Sequence, residues 1–341
     1  MSVFSRTCFQ DESVHTTSSP TISFIIPVWN DENYIARCLR SIRNLNFSRL
    51  TYEVIILDNG STDNTHLIIE EMGFPFRVIE KIHVSELRNR GAAIAQGEYL
   101  AFIDSDVELS SWWLEASLAA FTDPRVVAAG CFPMVPPDST WVQRAWDSHQ
   151  KGREIADVPV SVRWLPSMNL VVRRDAFHAV SGFNEQLVTA EDVDLCYRLG
   201  VHGTILGNPA MGAIHWGEAP DLSTFWKKEV WRGKGSFSGF RSHGFRWDEL
   251  PSLGYPLYVI GLCVALAIGG VWDLVHGQLL VSLPCLTLLL FPACLLALRT
   301  AWFAKSFTII PPLFILYLMY GFARAYSALK ASFSNTPKAT F

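Results

Sequence analysis

Tyr99-Leu100-Ala101-Phe102-Ile103-Asp104-Ser105-Asp106-Val107 is an apolar run that ends in two acids one residue apart. Bounded upstream by Gly97, it predicts a buried strand with Asp104 and Asp106 at its C-terminal end. In open α/β sheets that edge is where ligands bind. Residues i and i+2 of an extended segment point to the same side, which predicts that both carboxylates face one cleft. Two carboxylates so placed suit a hard cation that also carries phosphate oxygens. A strand end followed by an Asp cap on a helix near Ser110-Ser111-Trp112 accounts for the same residues.

Working outward, the chain before this stretch alternates strands and helices. Residues 21–27 (TISFIIP), 52–57 (YEVIIL) and 76–80 (FRVIE) read as strands. Helical spacing covers 33–42, 64–72 and 85–96, with Asn30 or Asp31 as cap of the first and Gly97 as stop of the last. Downstream, helices are expected at 111–121, 141–155 and 173–180, and strands at 126–132 and 164–172. The alternation implies an α/β fold with a largely parallel sheet covered on both faces. The turn Asp58-Asn59-Gly60-Ser61-Thr62-Asp63 ends a neighbouring strand and should open on the same crevice. It is either an Asx-type turn into a capped helix or a set of partners for a nucleobase or ribose. No G-x-x-x-x-G-K-[ST] loop is present, nor a G-x-G-x-x-G after the first strand, so P-loop and dinucleotide chemistry are disfavoured. Arg88 and Arg90 lie two apart on a helix and cannot share a face.

A second acidic cluster begins a helix at Glu191-Asp192-Val193-Asp194, with Leu195 and Leu199 as its buried stripe. Acids there complement the helix dipole, but three in four residues exceed what that needs. One of them facing a cleft is well placed as a general base. His215 follows a short apolar run, either as a structural histidine or as a metal ligand near two acids.

The 341 residues carry a net charge of −4, which offers no reason to expect a nucleic-acid partner. Seven scattered cysteines without a C-x-x-C pair argue against a zinc ribbon or a disulfide framework. Composition changes near residue 250. Three apolar runs follow, at about 253–272, 279–298 and 307–324, each near the ~20 residues that cross a bilayer. Pro311-Pro312 predicts a kinked or re-entrant third run. Lys227, Lys228, Arg232, Lys234, Arg241 and Arg246 precede the first run, and Arg299 and Lys305 separate the second from the third. The positive-inside rule then puts the N-terminal domain in the cytoplasm, on a multi-pass plasma-membrane anchor. Residues 1–20 are polar, without the apolar core of a signal peptide, and read as a loose tail. The expected division is a catalytic domain at 21–220, an interfacial helical segment at 221–250, apolar helices over 251–328 and a tail at 329–341.

Taken together, 24–30 (FIIPVWN), 54–63 (VIILDNGSTD), 88–106 (RNRGAAIAQGEYLAFIDSD), 182–185 (GFNE) and 191–198 (EDVDLCYR) resemble the family 2 glycosyltransferases. The resemblance implies a Rossmann-like glycosyltransferase-A domain with a mixed, mostly parallel sheet and inverting sugar transfer from a nucleotide-diphosphate sugar. It also implies nucleotide contacts from Pro27, Trp29, Asp58, Arg88 and Asp104, a Mn²⁺ or Mg²⁺ ion on Asp106 and His215, and Asp192 as catalytic base. Asn169, Glu191 and Arg232 are candidate diphosphate or acceptor contacts. The segment Glu229-Val230-Trp231-Arg232-Gly233 is a partial likeness to the Q-x-x-R-W element of processive synthases, with Glu and Gly in place of Gln and Trp. That departure speaks against polymerisation. The membrane segments point to membrane lipid as a partner and to a lipid-linked or glycan acceptor, as in cell-envelope polysaccharide assembly. A polyprenyl-phosphate sugar transferase and an inactive membrane scaffold are the competing readings.

Overall fold

The computed structural model describes residues 20–46, 51–151, 158–234 and 250–333. The expected N-terminal tail, most of the 235–250 stretch and the end of the C-terminal tail lie outside the described residues. In chain order the N-terminal half runs β1 (Ile22–Val28), α1 (Ile35–Arg43), β2 (Tyr52–Asp58), α2 (Thr65–Glu71), β3 (Phe76–Val78) and α3 (Val84–Ile94). Then follow β4 (Tyr99–Ile103), β5 (Val107–Leu109), α4 (Trp113–Ala120), β6 (Val126–Gly130), α5 (Trp141–Lys151), β7 (Val160–Ser161), β8 (Asn169–Arg173) and α6 (Arg174–Ala179). The domain closes with α7 (Glu191–Leu199), β9 (Thr204–Gly207), β10 (Ala213–His215) and α8 (Leu222–Gly233). Three long helices complete the chain: α9 (Leu250–His276), α10 (Ser282–Phe303) and α11 (Ile310–Phe333).

The main sheet has the order β3-β2-β1-β4-β8-β6-β9-β7. It is parallel from β3 to β4, and β8 then enters antiparallel between β4 and β6. β1 is buried along its whole length, as a central strand covered on both faces must be. Its alternating side chains divide the core. Ile22, Phe24, Ile26 and Val28 pack with α1 and Trp113 on one face. Ile25 joins Leu100, Phe102 and the α3 and α7 residues Leu87, Leu195 and Leu199 on the other.

Several expectations are corrected at element ends. Neither Asn30 nor Asp31 caps α1 with its side chain; the cap position is Tyr34, without a side-chain bond. Asn30 instead takes a left-handed backbone (φ 49°), and its Oδ1 accepts from Thr62 N at 2.7 Å. Gly97 does not stop α3, whose cap is Ala95. A Cβ on Gly97 would lie 2.6 Å from Ser23 N, so glycine lets β4 enter the sheet beside β1. The largest correction concerns the acidic stretch itself. Asp104 to Asp106 is a tight turn rather than extended chain, closed by Val107 N donating to Asp104 O at 3.1 Å. β5 starts at once and pairs antiparallel with β10, with Val107 opposite His215. The two acids therefore diverge, and the i, i+2 argument fails because the backbone reverses between them.

Asn169, a candidate ligand contact, is fully buried and spent on structure. Its Oδ1 accepts from Trp113 Nε1 at 2.7 Å, and its Nδ2 donates to the carbonyls of Cys131 (3.1 Å) and Met211 (3.0 Å). It ties α4, β6 and the β9–β10 loop together behind the cleft and has no group left for a ligand. Each orphaned buried partner costs about 1–3 kcal/mol. Asn169→Leu is therefore expected to lower the melting temperature of the detergent-solubilised protein by about 6–12 °C, taking about 3 kcal/mol in a domain of this size. A thermal shift under 2 °C would contradict that role.

The three long helices are each apolar and long enough to cross a membrane, over Gly254–His276, Ser282–Phe303 and Phe307–Lys330. Small residues let them approach: a Cβ on Gly269 would meet Val281, and one on Gly321 would meet the Tyr255 ring. α11 differs from the other two. Leu313, Leu316 and Tyr317 join Val142, Ala145 and Trp146 of α5 and Phe225 of α8 in one buried cluster, to which α10 adds Ala293 and Ala297.

Candidate active site

The C-terminal edge of the sheet gathers residues from β4, β5, α3, α7, β10 and α8. Arg88 projects from α3 with 3 % of its surface exposed. Its Nη2 donates to Asp104 Oδ1 at 2.6 Å and its Nη1 to Glu191 Oε1 at 2.9 Å. It joins the two acidic motifs, which lie 87 positions apart in sequence. Burial disfavours the guanidinium charge, but the two carboxylates more than offset this and raise its pKa. Arg90 stays on the solvent side, paired with Glu86 one turn back.

The three acids of α7 separate. Asp194 is buried and held by Arg198 Nη2 at 2.6 Å, which makes it part of the helix packing. Glu191 holds Arg88. Asp192 Oδ1 accepts from Val193 N at 2.8 Å, and its side chain has no ion-pair partner among the described residues. Part of its surface meets water while protein packs around its carboxyl group. That burial, together with the charge of Glu191, pushes its pKa up to about 7. The dipole of α7 favours the ionised form, but burial and a like charge outweigh it.

Asp106 and His215 meet across the β5–β10 ribbon, with His215 Nε2 3.1 Å from Asp106 Oδ2. The other ring nitrogen, Nδ1, lies 3.1 Å from Glu218 Oε2. Burial works against charge at all three groups. The mutual attraction nevertheless holds the Asp106 carboxyl below its usual range, pushes His215 up to about 10 and holds Glu218 down to about 2. Lys228 contributes to the low values of both acids and donates its Nζ to Gly217 O. The arrangement fits a divalent cation in three respects. Asp106 Oδ2 and His215 Nε2 are an oxygen and a nitrogen donor of the kinds such ions take, side by side and 3.1 Å apart. A Cβ at Gly217 would fall 1.9 Å from Asp106 Oδ2, so only glycine leaves that oxygen clear. Glu218 behind His215 is the carboxylate partner that orients a metal-ligating imidazole. Among the described residues no group of three or more His, Cys, Asp or Glu donors converges, so the remaining donors would have to be substrate and water.

The first crevice wall is the pair of loops after β1 and β2, laced together by Asn30 N to Ser61 Oγ and Asp31 N to Thr65 Oγ1, both 2.8 Å. Asp58 Oδ2 accepts from Gly60 N and Ser61 N, each at 2.9 Å, and lies 2.8 Å from His66 Nε2. Its other oxygen, Oδ1, is buried without a hydrogen-bond partner among the described residues. Pro27 is buried inside β1 beside Leu57, away from solvent. Trp29 is 50 % exposed at the strand end, with Lys81 Nζ 4.1 Å over its ring. Arg232, the last candidate, gives its Nη1 to Glu229 Oε1 at 2.6 Å and sets Nη2 4.0 Å from Glu218.

Two members of the site had no sequence signal of their own. Glu218 lies three residues beyond His215 and is recognisable only once β10 pairs with β5. Asp31 reads in the sequence as a helix cap. Burial, then the charges of Asp106, Asp63 and Asp104, push it up to about 7, against a lowering bond from Ser105. Its proximity to these acids is tertiary.

Residues 23–180 match the model of the family described as Glycosyl transferase family 2. Glycosyltransferase AglE of Haloferax volcanii is 28 % identical over 188 residues, covering 52 % of this chain and 60 % of the relative. Pre-mycofactocin glycosyltransferase of Mycobacterium tuberculosis is 33 % identical over 193 residues, covering 52 % of this chain and 38 % of the relative. The chain thus spans about half the length of these curated relatives. The structure of a mannosyltransferase from Pyrobaculum calidifontis, solved with GDP-Man and Mn²⁺, superposes with a TM-score of 0.58 at 16 % identity, covering 94 % of this chain and 89 % of that one.

A carboxyl with a folded pKa above its unfolded value costs stability as pH rises from the unfolded pKa to the folded one, and the full cost persists above it. Asp192→Asn is therefore expected to raise the melting temperature by a few degrees at pH 8, with the gain shrinking toward pH 4. A gain independent of pH would rule out the raised value. Residues 23–180, with their mixed sheet and its acid-lined edge, match the model of glycosyl transferase family 2 and adopt a glycosyltransferase-A fold, followed by three helices long and apolar enough to cross a membrane.

Proposed function

We propose that this chain is a membrane-anchored, inverting glycosyltransferase. It moves a sugar from a nucleotide-diphosphate sugar to a hydroxyl of a lipid-linked or membrane-proximal acceptor, with the catalytic domain on the cytoplasmic face. The observation that carries this is Arg88 holding Asp104 and Glu191 together, which sets Asp192 beside the edge that also bears Asp106 and His215.

The chemistry follows from the groups present. Asp58, with one buried oxygen free, and exposed Trp29 receive the nucleotide at the β1–β2 loops. Asp104, fixed by Arg88, faces the ribose. Asp106 and His215 would hold Mn²⁺ or Mg²⁺, with Glu218 orienting the imidazole. Such an ion supplies Lewis-acid stabilisation of the leaving diphosphate. Lys228 and Arg232 add positive charge on the same side. Asp192 removes the proton of the acceptor hydroxyl as it attacks the anomeric carbon, in line with the departing diphosphate. The transition state has oxocarbenium character, as in glycoside hydrolysis. A pKa of about 7 suits a base that works near neutral pH. The basic residues Arg299, in the last turns of the second apolar helix, and Lys305, between the second and third, support the cytoplasmic orientation.

Asp192→Asn is expected to bind donor nearly as wild type and to lose about 10²–10⁴-fold in transfer rate. Turnover within about threefold of wild type would remove Asp192 from the role of base. EDTA is expected to abolish transfer and Mn²⁺ or Mg²⁺ to restore it; undiminished activity in EDTA would end the metal assignment. Because Asp192 must be ionised, the rate should rise with pH through about 7. Arg88→Met removes a charge that lowers the Asp192 pKa and should move that limb to higher pH, as a pH–rate profile would register.

A further inference from the structure

Glu229 and Gly233, the two departures from the Q-x-x-R-W pattern, share one cause in the structure. Glu229 is fully buried between two arginines. Arg232 Nη1 reaches its Oε1 at 2.6 Å, and Arg324 of α11 reaches its Oε2 at 2.9 Å. Gly233 faces Ser327, also of α11: a Cβ there would fall 2.7 Å from Ser327 Cβ, and a tryptophan could not be accommodated. Both positions are shaped by the third apolar helix. Along this face, from Leu313 to Ser327, α11 presents about 21 Å of helix to the catalytic domain.

The contact continues into the site. Arg232 lies between Glu229 and Glu218, 4.0 Å from the latter, and Glu218 lies 3.1 Å from the imidazole of His215. The backbone oxygen of Arg232 accepts from Thr189 Oγ1 at 3.3 Å. Thr189 precedes Ala190, whose left-handed backbone starts the helix bearing Glu191 and Asp192. One residue thus touches the supports of both halves of the site, and the charge of Asp192 is felt at its guanidinium.

We propose that Arg324 is a positioning residue for the reaction: through Glu229 and Arg232 the third apolar helix holds Glu218, and with it His215, in the geometry that binds the divalent ion. The inference rests on the proposed function. With Arg324 neutral, Glu229 keeps one cation and draws Arg232 from Glu218. With both Arg324 and Glu229 neutral, Glu218 is the carboxylate left for Arg232, and the imidazole is held again.

The test uses the full-length protein in detergent, with Mn²⁺ binding read from the electron paramagnetic resonance of free Mn²⁺, alongside transfer rate and melting temperature. Arg324→Met is expected to weaken Mn²⁺ binding by about 3–10-fold, and Arg324→Lys to stay within about twofold of wild type, a span of roughly 1.4 kcal/mol at the tenfold end. The double variant Glu229→Gln, Arg324→Met should recover most of the loss. Arg299→Met, an exposed charge elsewhere in the apolar helices, should change nothing. Wild-type Mn²⁺ affinity in folded Arg324→Met, or a double variant as weak as the single one, overturns the proposal. If Arg324→Met fails to fold, Arg324→Gln with the same double-variant comparison decides it. Should wild type transfer sugar without binding Mn²⁺, the metal assignment falls while a kcat loss in Arg324→Met, restored in the double variant, sustains the link. Wild type that neither binds Mn²⁺ nor turns over a donor overturns both.

Discussion

A guanidinium with 3 % of its surface exposed keeps its charge only where carboxylates replace the water it has lost, and Arg88 has two. That requirement organises the cleft. Asp104 arrives from the end of β4 and Glu191 from the start of α7, two segments with no other reason to share a site. Once they are paired, Asp192 is carried to the same edge, and its carboxyl lies beside a like charge in a poorly hydrated position. The ionisation behaviour of the candidate base is thus a by-product of how Arg88 is neutralised.

The second constraint is the turn at Asp104–Asp106. By reversing the chain it starts β5, and β5 recruits β10, which brings His215 against Asp106. One short acidic stretch therefore serves two structures, the Arg88 clamp on one side and the His215 pair on the other. From His215 a line of alternating charges runs through Glu218, Arg232 and Glu229 to Arg324, with the carboxylates buried and the arginines partly covered. Buried ions are expensive unless paired, so the line holds together as a unit. It ties the candidate metal site to a helix apolar enough to lie in a membrane.

The sheet was legible because its evidence is local. Continuous apolar runs in residues 22–28 and 99–103, and helical stripes such as Ile35, Cys38, Leu39 and Ile42, are properties of neighbouring residues. The same holds for the three apolar helices, whose length and composition suffice. Asn169 shows the opposite case. A polar residue entering a strand at a cleft edge looks like a ligand contact, and only the packing of Trp113, Cys131 and Met211 around it shows that all its hydrogen-bonding capacity is used internally. Asp31 and Glu218 escaped for the converse reason, since their neighbours in space lie 32 or more and three or more residues away in sequence, respectively.

The amino-acid sequence by itself determined the strand–helix alternation, the two acidic motifs and the apolar C-terminal helices, because hydrophobic periodicity and motif spacing act over a few residues. Only the tertiary structure decided what each acid does. It divided Asp104 from Asp106 by a backbone reversal, gave Asp194 to Arg198 and Glu191 to Arg88, and left Asp192 without an ion-pair partner among the described residues. It also turned Arg324 inward to Glu229. Charge pairing is settled by which groups burial brings within a few ångströms of one another, and that distance is not encoded in spacing along the chain.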